Sequence, residues 1–139
     1  MTRGERNNNP LNIRRVVGTR WRGERERAGE QEFVTFRSVA WGLRAAFQIL
    51  KTYRDKYKAV CIEDIIRRWA PPSENDTNAY IYHVCKATGF GGKERLTENE
   101  WPALVKAMAW VESRMDIADE TMKLSFELYS RLKNNKTTK

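Results

Sequence analysis

Asn7-Asn8-Asn9-Pro10-Leu11-Asn12-Ile13-Arg14-Arg15 suits neither a helix nor a strand. Asparagine amides bond to nearby backbone and tolerate left-handed conformations, while Pro10 fixes its own φ and pushes Asn9 toward extended geometry. The expected product is a rigid turn studded with amide donors and acceptors. Such a turn can wall a polar cleft that receives a sugar or peptide, or it can bridge two segments through Asx-turns.

The segments on the C-terminal side of that turn define the fold class. Residues 11–36 read as a small β region: Ile13, Val16, Val17 and Trp21, a charged connection from Gly23 to Gly29, then Gln31 to Phe36, rich in strand formers. Ser38 is placed to cap a long helix in which Trp41, Leu43, Phe47, Leu50, Tyr53 and Tyr57 recur at helical spacing. A short helix over 62–69 must stop at Pro71-Pro72, and Asp76 or Thr77 restarts a helix that ends at Gly89. Gly91-Gly92 then reads as a loose link. Thr97-Glu98-Asn99-Glu100 has the form of a capping box, with Pro102 favouring a start nearer Asn99. Trp101, Leu104, Val105, Met108, Val111 and Met115 line one broad face of the helix that follows. Asp116 and Asp119 open a last helix bearing Met122, Phe126, Tyr129 and Leu132. The expected class is α+β, mostly helical, with one domain over 1–132 and a disordered basic tail over 133–139.

Composition narrows the chemistry. The chain has 139 residues and a formal charge of +8, which implies a polyanionic partner or environment such as nucleic acid, teichoic or lipid-linked polymer, or peptidoglycan carboxylates. The N-terminal third is Arg-rich, but Arg14, Arg15, Arg20, Arg22, Arg25 and Arg27 are interleaved with Glu24, Glu26 and Glu30, and mixed signs dilute a phosphate-tracking stripe. No helix face clusters Arg, Lys, Asn and Gln as a recognition helix would, so a DNA-binding or packaging role ranks last and nucleic acid is not the expected partner. His83 is the lone histidine, with no Cys or His at ligand spacing, so neither a metal nor another cofactor is expected. Cys61 and Cys85 fall inside apolar helical patterns, and buried reduced thiols are expected. No apolar run approaches the roughly 20 residues a membrane span needs, and the N-terminus lacks a signal-peptide pattern.

Glu112 is the anomaly. It lies at i+4 from Met108, i+7 from Val105 and i+11 from Trp101, inside the apolar face of its helix and near that helix's end. Partial burial raises a carboxyl pKa, and a proton retained near neutral pH is what a glycosidic general acid requires. The bland alternative is a boundary glutamate that swings to water or pairs with an arginine. Glu5, ahead of the asparagine tract, is a rival acid in a polar segment where nothing would raise its pKa.

The order NNNPLNIR, Trp21-Arg22-Gly23, Glu32-Phe33-Val34-Thr35-Phe36 and then Gly42-Leu43-Arg44-Ala45-Ala46 reaching Tyr53 resembles the peptidoglycan-cleaving glucosaminidase and transglycosylase branch of the lysozyme superfamily. Trp69-Ala70-Pro71-Pro72-Ser73-Glu74-Asn75-Asp76-Thr77 with Tyr80 looks like the groove segment of those enzymes. From Arg3 to about Met115 the chain is also similar to phage and prophage proteins carrying NNNPxNIR and WAPPxENxT, commonly described as virion structural proteins. The resemblance implies a lysozyme-like fold with an N-terminal β-hairpin lobe. It implies Glu112 as the acid acting on a peptidoglycan glycan strand, with Asn9, Asn12, Trp21, Trp69, Asn75 and Tyr80 bonding to and stacking on N-acetyl sugars. Glu32 and Glu74 are the candidate bases if water is the nucleophile. In those enzymes the acid's helix precedes the asparagine segment, whereas Trp110-Val111-Glu112-Ser113 lies near the C-terminus here, an order that requires a circular permutation. A non-catalytic virion structural or glycan-binding protein on the same fold is the alternative. Virion proteins are possible partners, and the expected location is the virion, or the bacterial cytoplasm before assembly or release.

Overall fold

A computed structural model describes residues 1–132; the tail expected to be disordered lies outside the described residues. Among the described residues six α-helices run in the order α1 (Arg3–Arg6), α2 (Val39–Tyr57), α3 (Ile62–Trp69), α4 (Thr77–Thr88), α5 (Trp101–Ser113) and α6 (Asp119–Leu132). Between α1 and α2 a two-stranded antiparallel sheet pairs β1 (Glu24–Arg25) with β2 (Thr35–Phe36), Glu24 opposite Phe36. The protein is thus mostly helical with a small β element, as the residue pattern requires.

Helix α5 is the axle. Leu104, Val105, Met108 and Ala109 are sealed from solvent on it, which an apolar helix tolerates only when neighbours cover it on several sides. Helices α2, α4 and α6 do so. Between α2 and α6, Phe47 meets Phe126 edge-on at 5.2 Å between ring centroids, and Tyr129 closes the cluster at 5.8 Å from each. Such pairings add about 0.5–1.5 kcal/mol each beyond the area they bury.

The helix boundaries follow their signals. The Asp76 carboxylate accepts from the Ala79 N–H, and Gly89 ends α4 with φ +78°. Thr97 and Glu100 form the reciprocal capping box, but around a single 3-10 turn (Glu98–Glu100) that leads into α5, which reconciles the box with the start that Pro102 favours. Ser38 occupies the N-cap of α2 without a side-chain cap bond.

Two local expectations fail. Residues 11–21 do not form a strand. Asn12 sits at φ +51°, Gly18 at +84° and Gly23 at +77°, and this succession of left-handed residues breaks the extended run. Only Arg14 bridges to Phe33, and β1 falls inside the segment read as a charged connection. The Gly91-Gly92 link is not loose either: the Gly92 carbonyl accepts from Glu63 N–H at 3.0 Å, and Leu96 N–H donates to the Val60 carbonyl at 2.8 Å, tying the link to α3. Helix α1 carried no expectation. It is one turn with a Thr2–Glu5 capping box, too short for a periodic signal to register.

Candidate functional site

The asparagine tract is a hub of internal bonds. Asn7 donates to Glu30 at 2.7 Å and accepts from Thr35 Oγ1 at 3.0 Å and from Arg27 at 3.1 Å. Asn8, at φ +51°, donates to the Phe36 carbonyl. Asn9 is fully buried: its Nδ2 donates to the carbonyls of Val34 (2.8 Å) and Ile13 (3.0 Å), and its Oδ1 accepts from Ile13 N–H (2.9 Å). A carboxamide with two donors and an acceptor staples the turn to the start of β2, work that neither a hydroxyl nor a carboxylate could do alone.

The same turn is fastened to the end of α5. Ser113 Oγ donates to the Pro10 carbonyl at 2.7 Å, and Thr2 Oγ1 donates to the Ser113 carbonyl at 2.9 Å. Gly4 packs so closely that a β-carbon there would come within 1.9 Å of Ser113 Oγ. Asn12 then reaches across, its Nδ2 3.1 Å from the Glu112 main-chain carbonyl and 3.5 Å from Glu112 Oε1. The Glu112 carbonyl lies in the last turn of α5, where carbonyls lack helical partners, and Asn12 supplies one.

Glu112 is half-buried at the edge of a groove of ≈ 600 Å³. From α4, the Tyr80 hydroxyl donates to Glu112 Oε2 at 3.0 Å, so each carboxylate oxygen has one protein donor. Burial pushes the Glu112 carboxyl above its ordinary range. The bonds from Tyr80 and Asn12, and the more distant charge of Arg14, pull the other way without cancelling it. The Tyr80 phenol is itself raised, first by burial and then by the adjacent carboxylate.

The groove is walled on one side by the N-terminal turn and its continuation (Leu11 to Arg14, Val16, Thr19, Trp21) and on the other by Trp69, Ala70, Pro71, Glu74 and Asn75. Of the residues singled out from sequence, Asn12, Trp21, Trp69, Glu74, Asn75 and Glu112 line it. Tyr80 stands beneath, buried against Glu112. Asn9 and Glu32 do not line it. Asn9 is spent within the turn, and Glu32 is exposed and ion-paired with Arg14. Asn75 Nδ2 also bonds to the Pro71 carbonyl, which stiffens its loop. Glu5 caps α1 in the open, where the Thr2 backbone bond lowers its pKa, so it is not the acid of this groove.

Helix α2 contributes wall residues that sequence reasoning assigned to the core or passed over: Ile49, Thr52 and Tyr53, with Tyr53 edge-on to Trp69 at 6.1 Å. Their spacing is a half-buried stripe offset from the sealed stripe of Leu43, Phe47 and Leu50, and that offset was the available signal. Cys61 and Cys85 are both free thiols, raised by burial, and neither faces the groove. The described residues hold no group of three or more His, Cys, Asp or Glu able to bind a metal. No described helix is long and apolar enough to cross a membrane.

A mostly helical α+β scaffold that holds one half-buried carboxyl against an amide-rich turn belongs, in this chain, to a family of phage proteins. The chain is similar to Protein P5 of Pseudoalteromonas phage PM2, 43% identical over 113 residues that cover 80% of this chain and 71% of the relative. No family model matches the chain.

Proposed function

We propose that this protein is a phage-derived, lysozyme-like peptidoglycan-cleaving protein, a muramidase or lytic transglycosylase, in which Glu112 is the general acid. The observation that carries the reading is the Glu112 carboxyl, raised by burial, held by Tyr80 and Asn12 and opening into a groove built from both motif segments. A protonated Glu112 donates to the oxygen linking N-acetylmuramic acid to N-acetylglucosamine. The carbon–oxygen bond breaks, its electron pair stays with the newly protonated oxygen, and positive charge develops on the sugar ring. Water or a hydroxyl of the same sugar then captures that carbon. Glu74, the other carboxyl in the lining, is the candidate base for the water route. Trp69, Asn75 and Asn12 would stack on and bond to N-acetyl sugars, within a virion that opens the wall during genome entry.

The test is release of muropeptides from purified cell-wall sacculi. A second reading, a virion structural or glycan-binding protein without catalysis, draws on the two donors that hold Glu112, which would equally anchor a static carboxylate. Binding to sacculi without product supports it. A DNA-packaging role would require duplex affinity that falls steeply with salt.

A further inference from the structure

The loop Arg14-Arg15-Val16-Val17-Gly18-Thr19-Arg20-Trp21-Arg22 contains four arginines and no acidic residue. Its tip is a tight turn closed by Thr19 N–H on the Val16 carbonyl at 3.0 Å, with Gly18 at φ +84°. At that tip Val16 is 62% exposed and Val17 103%, so Val17 stands as free of the protein as in an extended chain. The exposed aromatic side chains elsewhere are treated differently. Tyr57 lies under Arg68, Tyr82 beside Lys86 and Trp110 beside Arg114. The two valines have no such cover. Among the flanking cations Arg14 pairs with Glu32, while Arg15, Arg20 and Arg22 form no ion pair with the described residues; Arg20 is exposed, Arg15 and Arg22 are half-buried with their Nε atoms enclosed, and Arg22 turns toward the charge of Arg44.

We propose that this loop is a docking element for an anionic lipid surface, with Val16 and Val17 entering the headgroup–acyl boundary and the exposed Arg20, together with the half-buried Arg15, binding lipid phosphates. Two adjacent branched apolar side chains at an exposed tip, flanked in sequence by arginines without an ion-pair partner among the described residues, match an interface that is apolar below and negative above. A polyanion such as DNA would satisfy the arginines and leave the valines in water. Arginine stems also suit the boundary, because their methylenes can sink while the charge stays at the phosphates. Val16 and Thr19 also line the groove, so docking would set its mouth at the lipid surface. The proposal stands independently of any cleavage by Glu112.

The test is co-sedimentation of the full chain with phosphatidylcholine vesicles containing or lacking phosphatidylglycerol. Val17→Ser and Val17→Trp alter a side chain that touches nothing, and Arg15→Gln/Arg20→Gln removes two charges. The wild type should bind the anionic vesicles and scarcely the neutral ones. Val17→Ser should weaken partitioning about threefold or more, Val17→Trp should strengthen it, and the double arginine variant should lose about thirtyfold. Inorganic phosphate at matched ionic strength should not displace the protein. Failure to bind anionic vesicles would overturn the proposal. So would equal partitioning of the two Val17 variants and the wild type, which would reduce the loop to a generic cation patch, or competition by free phosphate.

Discussion

The Asn12 carboxamide donates to the main-chain carbonyl of Glu112 at 3.1 Å, a bond between residues a hundred positions apart. It joins the first turn of the chain to the last turn of α5 and makes the groove one object rather than two neighbouring surfaces. The same amide lies 3.5 Å from Glu112 Oε1, so a single side chain positions both the backbone and the carboxyl of the candidate acid. Its own Oδ1 is buried without a protein partner, an acceptor left beside the acid.

Asn9→Ala should be the costliest asparagine substitution for stability. It strands the Ile13 N–H and removes the donor to the Val34 and Ile13 carbonyls. The Ile13 carbonyl keeps the Val34 N–H, so the Ile13 N–H and the Val34 carbonyl are the groups stranded, and at about 1–3 kcal/mol for each a loss of at least about 2 kcal/mol is expected. Urea unfolding of the variant against the wild type measures it. A loss under about 1 kcal/mol would mean that water reaches the turn.

Tyr80→Phe should move a pH profile more than it moves the fold. The phenol bond favours the Glu112 carboxylate, so its removal raises the Glu112 pKa further. A general acid works while protonated, so the alkaline limb of muropeptide release should shift to higher pH. If Tyr80 were only core packing, the limb would stay in place and only the unfolding midpoint would change.

Glu112→Gln should gain stability relative to the wild type as pH rises from 4 to 8. The Glu112 carboxyl holds its proton more tightly folded than unfolded. Its favourable contribution is therefore complete below the ordinary carboxylate range and is lost as pH rises through the raised folded value. A neutral amide escapes that loss, so the difference in stability between variant and wild type should move in the variant's favour from pH 4 to pH 8, whatever the amide forfeits by offering one acceptor where the carboxylate offers two. Thermal unfolding across that range checks the slope. A variant less stable at pH 8 than at pH 4, relative to the wild type, would contradict the dehydration of Glu112.

The helices were legible because periodicity and stop signals agreed: Pro71-Pro72, Gly89 and the Thr97–Glu100 box all fall at real boundaries. The β region was not, because Val16 and Val17 satisfy strand propensity while their place in the chain is set by left-handed residues on either side. Glu112 could be singled out because a carboxyl within an apolar stripe violates the pattern around it. That Asn12 lines the groove while Asn9 is consumed internally was invisible, since two asparagines of one turn differ only in which backbone groups the folded turn leaves open. Tyr53 reads as core by spacing alone. Its exposure to the groove depends on where the Pro71–Asn75 loop stops.

Whether the groove is a catalyst rests on one substitution. Muropeptide release from purified sacculi should be present in the wild type and fall by a factor of at least about 10²–10⁴ in Glu112→Gln, with sacculus binding and far-ultraviolet dichroism unchanged. Equal release by the two proteins would contradict Glu112 as the acid.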